Sequence, residues 1–106
     1  MQELKNQEEL DVLINSEKIL VLDFTSKTCA PCSAIKEKLT SWGRAKAGIT
    51  LRSVSIEEHP KLAADLEIFS APTVLVFAEG KLTIKEAGYF SLSQLIEKIE
   101  RLESLL

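Results

Sequence analysis

Cys29-Ala30-Pro31-Cys32 contains the only two cysteines of this 106-residue chain. They stand three positions apart, where a nearly all-apolar run, Ile19 to Phe24, gives way to a helical pattern. Thiols at that spacing can close and reopen a local disulfide. A cysteine at a helix start faces unpaired backbone N–H groups and the positive end of the helix dipole, both of which favour thiolate over thiol. Cys29 is therefore expected to be the attacking sulfur. Cys32, one turn later and partly shielded, can attack a mixed disulfide formed at Cys29 and resolve it. Pro31 is tolerated in a first helical turn and Ala30 adds little bulk beside the sulfur. No His or Lys lies between the cysteines, which favours a reducing pair over an oxidising one. On the residues alone three other readings stay open: a pair that only packs in the core, a zinc site, and an iron–sulfur cluster shared between two chains. Zinc usually takes four ligands, and the chain offers two Cys and only His59. Asp23, at the end of the apolar run, is a second candidate. Desolvation there would raise its pKa and let it exchange a proton with Cys32, unless it simply turns to water at the strand end.

The elements that must position these groups come from the rest of the chain. With 45% hydrophobic residues, 106 residues suffice for one compact domain, expected to span 1–106, with a real core. A net charge of −3 argues against a phosphate-binding surface, and no stretch concentrates Lys and Arg with aromatic residues, so nucleic acid is not an expected partner. The first residues, Met1 to Glu9, lack the apolar core of a secretory signal, and no apolar run reaches the roughly 18 residues of a membrane span. A cytosolic location is therefore expected, without membrane contact. In a reducing compartment, a lone cysteine pair points to catalysis or metal binding rather than a permanent staple.

The hydrophobic period switches repeatedly between strand-like and helix-like, which predicts a single α/β unit. Gln2 to Leu4 reads as a short edge strand, and Gln7 to Asn15 as a helix with Leu10, Leu13 and Ile14 on one face. Ile19 to Phe24 has the look of a central strand covered on both faces. Ala30 to Ala47 reads as a helix with Ile35 and Leu39 inward, closed by a left-handed Gly48. Ile49 to Ile56 reads as a strand whose alternation slips by one around Ser53, and His59 to Leu66 as a helix opened by Pro60. Thr73 to Ala78 and Leu82 to Ala87 flank Glu79-Gly80-Lys81 as an antiparallel hairpin. The last helix, Ser91 to Leu105, carries a core-facing stripe of Leu92, Leu95, Ile96, Ile99, Leu102 and Leu106.

Asp23-Phe24, Cys29-Ala30-Pro31-Cys32, Ala71-Pro72-Thr73, Glu79-Gly80-Lys81 and Gly88 fall in the order and spacing of the thioredoxin family, and the chain resembles that family over nearly its whole length. The resemblance implies a thioredoxin fold, a central five-stranded mixed sheet of order 1-3-2-4-5 flanked by four helices. It makes Cys29 the nucleophile, Cys32 the resolving thiol and Pro72 a cis proline beside the sulfurs that keeps metal away. The backbone of Ala71 would pair with substrate, in a groove bordered by Thr28, Ala30, Pro31, Gly88 and Tyr89. The resemblance also favours the proton-relay role for Asp23. On sequence alone Pro72 could equally begin a strand, and Tyr89 could be a surface aromatic.

Several positions depart from the family pattern. Thr25 and Thr28 stand where aromatic residues are usual, the second in place of a Trp directly before the first cysteine. Ser53 aligns with a Lys that pairs with the buried Asp, Ser33 with a basic residue and Glu37 with a helix-kinking Pro. Lys27 and Lys36 are candidates for electrostatic compensation or ordinary solvated side chains. Trp42 reads as a packing residue well down the helix.

The expected function is protein dithiol–disulfide exchange that reduces client disulfides, with a thioredoxin-reductase-like electron donor. A monomer with no bound cofactor and no metal is expected. Two rivals are a redox carrier dedicated to one partner and a binding or chaperone module on the same fold.

Overall fold

The computed structural model describes residues 1–106 and contains nine elements. They are β1 (Gln2–Glu3), α1 (Gln7–Ser16), β2 (Ile19–Thr25), α2 (Cys32–Gly43), β3 (Ile49–Ser55), α3 (Pro60–Asp65), β4 (Thr73–Ala78), β5 (Lys81–Ala87) and α4 (Leu92–Leu105). The strands form one sheet of order β1-β3-β2-β4-β5. β1, β3 and β2 run parallel, while β4 is antiparallel to β2 and β5 to β4. The mixed α/β architecture and strand order are those expected.

Strand alternation divides the core into two layers. Leu20, Leu22 and Phe24 of β2 pack with Leu10 of α1 and with Leu62 and Ala63 of α3. Ile19 and Val21 point the other way, towards Leu39 of α2 and towards Leu95 and Ile99 of α4. The next side chain on that second face is Asp23, fully buried where the pattern calls for an apolar residue. β2 is covered on both sides, which accounts for its nearly unbroken apolar run.

Caps and turns set the boundaries. Asn6 accepts from the Glu9 N–H at 2.8 Å to start α1, and Ser91 accepts from the Gln94 N–H at 3.2 Å to start α4. Glu79 and Gly80 both have positive φ, 50° and 84°, as a two-residue hairpin turn requires.

Three expectations are corrected. The helix expected over Ala30 to Ala47 runs only from Cys32 to Gly43, because residues 27–31 form turns and Pro31 is its N-cap. The last helical residue, Gly43, lies against the Leu51 side chain of β3, which a Cβ at that position would displace. Gly48 is not the left-handed cap: the positive-φ glycines are Gly80 and Gly88. The slip in alternation around Ser53 is present as expected, on an unbroken backbone, since β2 and β3 stay in register from Ile19↔Ile49 to Thr25↔Ser55. Leu51 packs on one sheet face and Val54 and Ile56 on the other, with buried Ser53 occupying a core-facing position. Finally, Leu106 is exposed and ends outside the α4 stripe.

Candidate active site

The site forms where the C-terminal end of β2 meets the N-terminal end of β4. Cys29 lies in the loop leaving β2, Cys32 is the first residue of α2, and Pro72 immediately precedes β4. The Cys29–Cys32 disulfide is closed, with S–S 2.08 Å and Cα–Cα 5.5 Å. The two sulfurs differ in access: Cys32 is buried and Cys29 is half-buried. The backbone N–H groups of Ser33 and Ala34, in the first turn of α2, have no backbone acceptor. They point the helix's positive end towards this region.

A small hydrogen-bond network sets the loop that carries Cys29. The Cys29 N–H donates to the Ser26 carbonyl at 3.2 Å. The Ser26 hydroxyl and the Lys27 N–H both donate to the Glu57 carboxylate, at 2.5 and 3.2 Å. The Ser26 and Thr28 hydroxyls share a 3.2 Å bond. These donors, the Ser26 hydroxyl foremost, hold the Glu57 carboxyl below the ordinary carboxylate range.

Ala71–Pro72 is a cis peptide bond. The Pro72 carbonyl accepts from the Gly88 N–H at 3.0 Å, which joins the two loops, and Gly88 has φ 73°, a conformation that favours glycine. Neither the N–H nor the C=O of the half-buried Ala71 takes part in a hydrogen bond. Clefts lie on either side of Cys29. One of about 320 Å³ is lined by Thr28, Ala30, Pro31, Ala71, Pro72, Gly88 and Tyr89 as well as Cys29. The other, of about 300 Å³, runs from Ser26 and Thr28 across Cys29 to Ile56, Phe69, Ser70 and Ala71.

Asp23 lies on the sheet face covered by α2. Both of its oxygens lack a hydrogen-bond partner, and its register neighbours are Ser53 and Val74. Burial pushes its carboxyl up to about 7, and Lys36 pulls it partly back. Lys36 sits one turn beyond Cys32 on the same face of α2, so it is an electrostatic neighbour of the site rather than a purely solvated lysine. The alternative of a strand-end Asp turned to water is overturned by its complete burial.

All the groove residues expected from the sequence therefore border Cys29, and Tyr89 lines the groove while remaining fully exposed. Ser26, Ile56, Glu57 and Phe69 were not expected there. In Ile68-Phe69 one residue is 2% exposed and the other 79%, and adjacent apolar residues in an extended segment must face opposite ways. That was the signal in the sequence. Trp42 packs on the second core layer as expected, and its indole donates to Glu100 at 3.0 Å.

Residues 2–101 match the thioredoxin family model. The chain belongs to the thioredoxin family. It is 29% identical to a thioredoxin of Mycoplasmoides gallisepticum over 100 residues, covering 94% of this chain and all of that one. It is 33% identical to chloroplastic thioredoxin Y2 of Arabidopsis thaliana over 85% of this chain, but spans only about half of that relative, 54%. The crystal structure of mitochondrial thioredoxin 3 from Saccharomyces cerevisiae in its oxidised form superposes with a TM-score of 0.86 at 27% identity, covering 95% of this chain and 94% of that one. With a cysteine pair at disulfide distance in this fold, the chain is a thiol–disulfide oxidoreductase. The pair favours exchange chemistry over a module whose cysteines are dispensable.

Proposed function

We propose that this thioredoxin-family chain reduces disulfides in client proteins by a two-step exchange at Cys29 and Cys32. The observation that carries the assignment of roles is the unequal access of the two sulfurs, Cys29 open to the clefts and Cys32 buried. In the dithiol form the Cys29 thiolate attacks one sulfur of a client disulfide. That S–S bond breaks, a Cys29–client mixed disulfide forms, and the departing client thiolate takes up a proton. The ionised Asp23 carboxylate then accepts the Cys32 proton, and the Cys32 thiolate attacks the Cys29 sulfur. The second client thiol is released and the Cys29–Cys32 disulfide closes, so the client gains two electrons and the chain loses two.

The unpaired Ala71 backbone supports an extended client segment lying in a strand-like contact along the groove, against Pro72. Thr28, Ala30, Pro31, Gly88 and Tyr89 form its walls. A thioredoxin-reductase-like donor returns the pair to the dithiol. A cytoplasmic location suits a pair that must cycle through the reduced state, although the similar chloroplast and mitochondrial proteins show that the fold serves other compartments too. A single domain over 1–106 acting as a monomer is supported by the sheet edges. β1 has two residues, and the β5 edge carries Lys81, Lys85 and Glu86.

Trapping tests these roles. Cys32→Ser is expected to accumulate a client adduct on Cys29, visible as a mass increase on non-reducing analysis and removed by dithiothreitol. Cys29→Ser is expected to accumulate none, and an adduct of equal yield on Cys32 would reverse the assignment.

A further inference from the structure

Thr28 leaves the loop before Cys29 without a large apolar side chain, yet the region is not bare of one. The chain exposes six large apolar side chains, two of them aromatic, and both aromatics border Cys29. Phe69 is 79% exposed on one side of the sulfur and Tyr89 fully exposed on the other. An exposed Phe gains nothing from burial in the free protein, so its placement against a cleft is informative.

The Phe69 cleft has a mixed lining. Within it the Ser26 and Thr28 hydroxyls are bonded to each other, and Ser26 also to Glu57. Their polar capacity is largely taken up inside the protein. Ile56 and Phe69 supply large apolar side chains to the same lining, and the cleft's volume of about 300 Å³ exceeds that of a single side chain. Ala71, two residues from Phe69, closes the cleft and offers a free N–H and C=O. A peptide strand paired there would place alternate side chains about 7 Å apart on one face, and Phe69 and Ala71 line the same cleft.

We infer that Phe69 is a specificity-determining residue, the apolar wall of a subsite that takes an aliphatic or aromatic side chain from an extended client strand, close to the cysteine under attack. The inference deepens the proposed function and rests on it. Selectivity arises because a charged side chain would lose water there and find no countercharge among the lining residues, only the Ser70 hydroxyl and the Ala71 backbone. An apolar one would be removed from water between Ile56 and Phe69.

The test uses the full chain with disulfide-bonded peptides in which Leu or Asp occupies each position within three residues of the attacked cysteine in turn. Wild type is expected to prefer Leu over Asp by about tenfold in kcat/KM at one such position, mainly through KM. In Phe69→Ser the ratio is expected to fall to about one, and in Phe69→Leu to be retained. Phe69 is a surface side chain, so the substitutions do not remove core packing, and the Leu variant separates loss of apolar character from any disturbance of the loop. An unchanged ratio in Phe69→Ser, or no Leu preference in wild type, would overturn the inference while leaving disulfide exchange intact. Failure of wild type to reduce either peptide would instead sink the proposed function itself.

Discussion

The two ends of the sheet face beneath α2 and α4 contain carboxylates in opposite circumstances. At the far end Glu100 accepts from the Trp42 indole and pairs with Lys46 at 3.2 Å, and these partners hold its carboxyl below the ordinary range. At the near end Asp23 is fully buried, has no hydrogen-bond partner, and is pushed up to about 7. The first group ties two helices together and stays ionised. The second gives up stability and, in the proposed exchange, is the group that takes the Cys32 proton near neutral pH. Partners fix a carboxylate's charge; burial without partners makes it reactive.

The largest expected effect comes from removing the unpartnered group. Between its unfolded value of 3.8 and its folded value of about 7, the folded chain binds more protons at Asp23 than the unfolded chain does. Unfolding free energy therefore falls as pH rises through that window and levels off above it. Relative to Asp23→Asn, wild type is expected to lose about 4 kcal/mol between about pH 4 and pH 8, measured by chemical denaturation of the oxidised form. Parallel stability curves would mean that Asp23 is solvated or paired in solution.

Leu39→Ala, in the core layer between the two carboxylates, is expected to cost about 3 kcal/mol by opening a cavity under α2. Unlike the Asp23 effect, this loss should not vary with pH. Lys36→Met has a smaller effect of definite sign. Removing the cation that pulls Asp23 down should move the midpoint of the exchange profile to higher pH, as followed by stopped-flow. Trp42→Phe is expected to do least, releasing Glu100 from one partner while leaving the exchange rate and its pH profile unchanged. A shifted profile there would show that the two ends of the face are coupled.

Much of this contrast was legible in the sequence. Ile19 to Phe24 announces a strand covered on both faces, and Asp23 interrupts one face of it. Ser53 in place of a Lys already marks Asp23 as lacking its usual partner, because the register sets Ser53 opposite it. The end of α2 was not legible, since no left-handed glycine marks it and Gly43 packs on Leu51, a contact that only the folded sheet brings together. Glu57 was missed for a similar reason: its bonds to Ser26 and Lys27 span about thirty residues. Phe69 escaped because periodicity shows that one of two adjacent apolar residues faces out, without showing that it faces the cysteine.

The most direct measurement is the rate at which a preformed Cys29 mixed disulfide is resolved by Cys32, as a function of pH, in wild type and Asp23→Asn. The account predicts a rate that rises through a midpoint near pH 7 in wild type, set by ionisation of Asp23. In the Asn variant it predicts a slower reaction without that step. Identical profiles in the two proteins would contradict it, leaving Asp23 a buried acid with no part in the exchange.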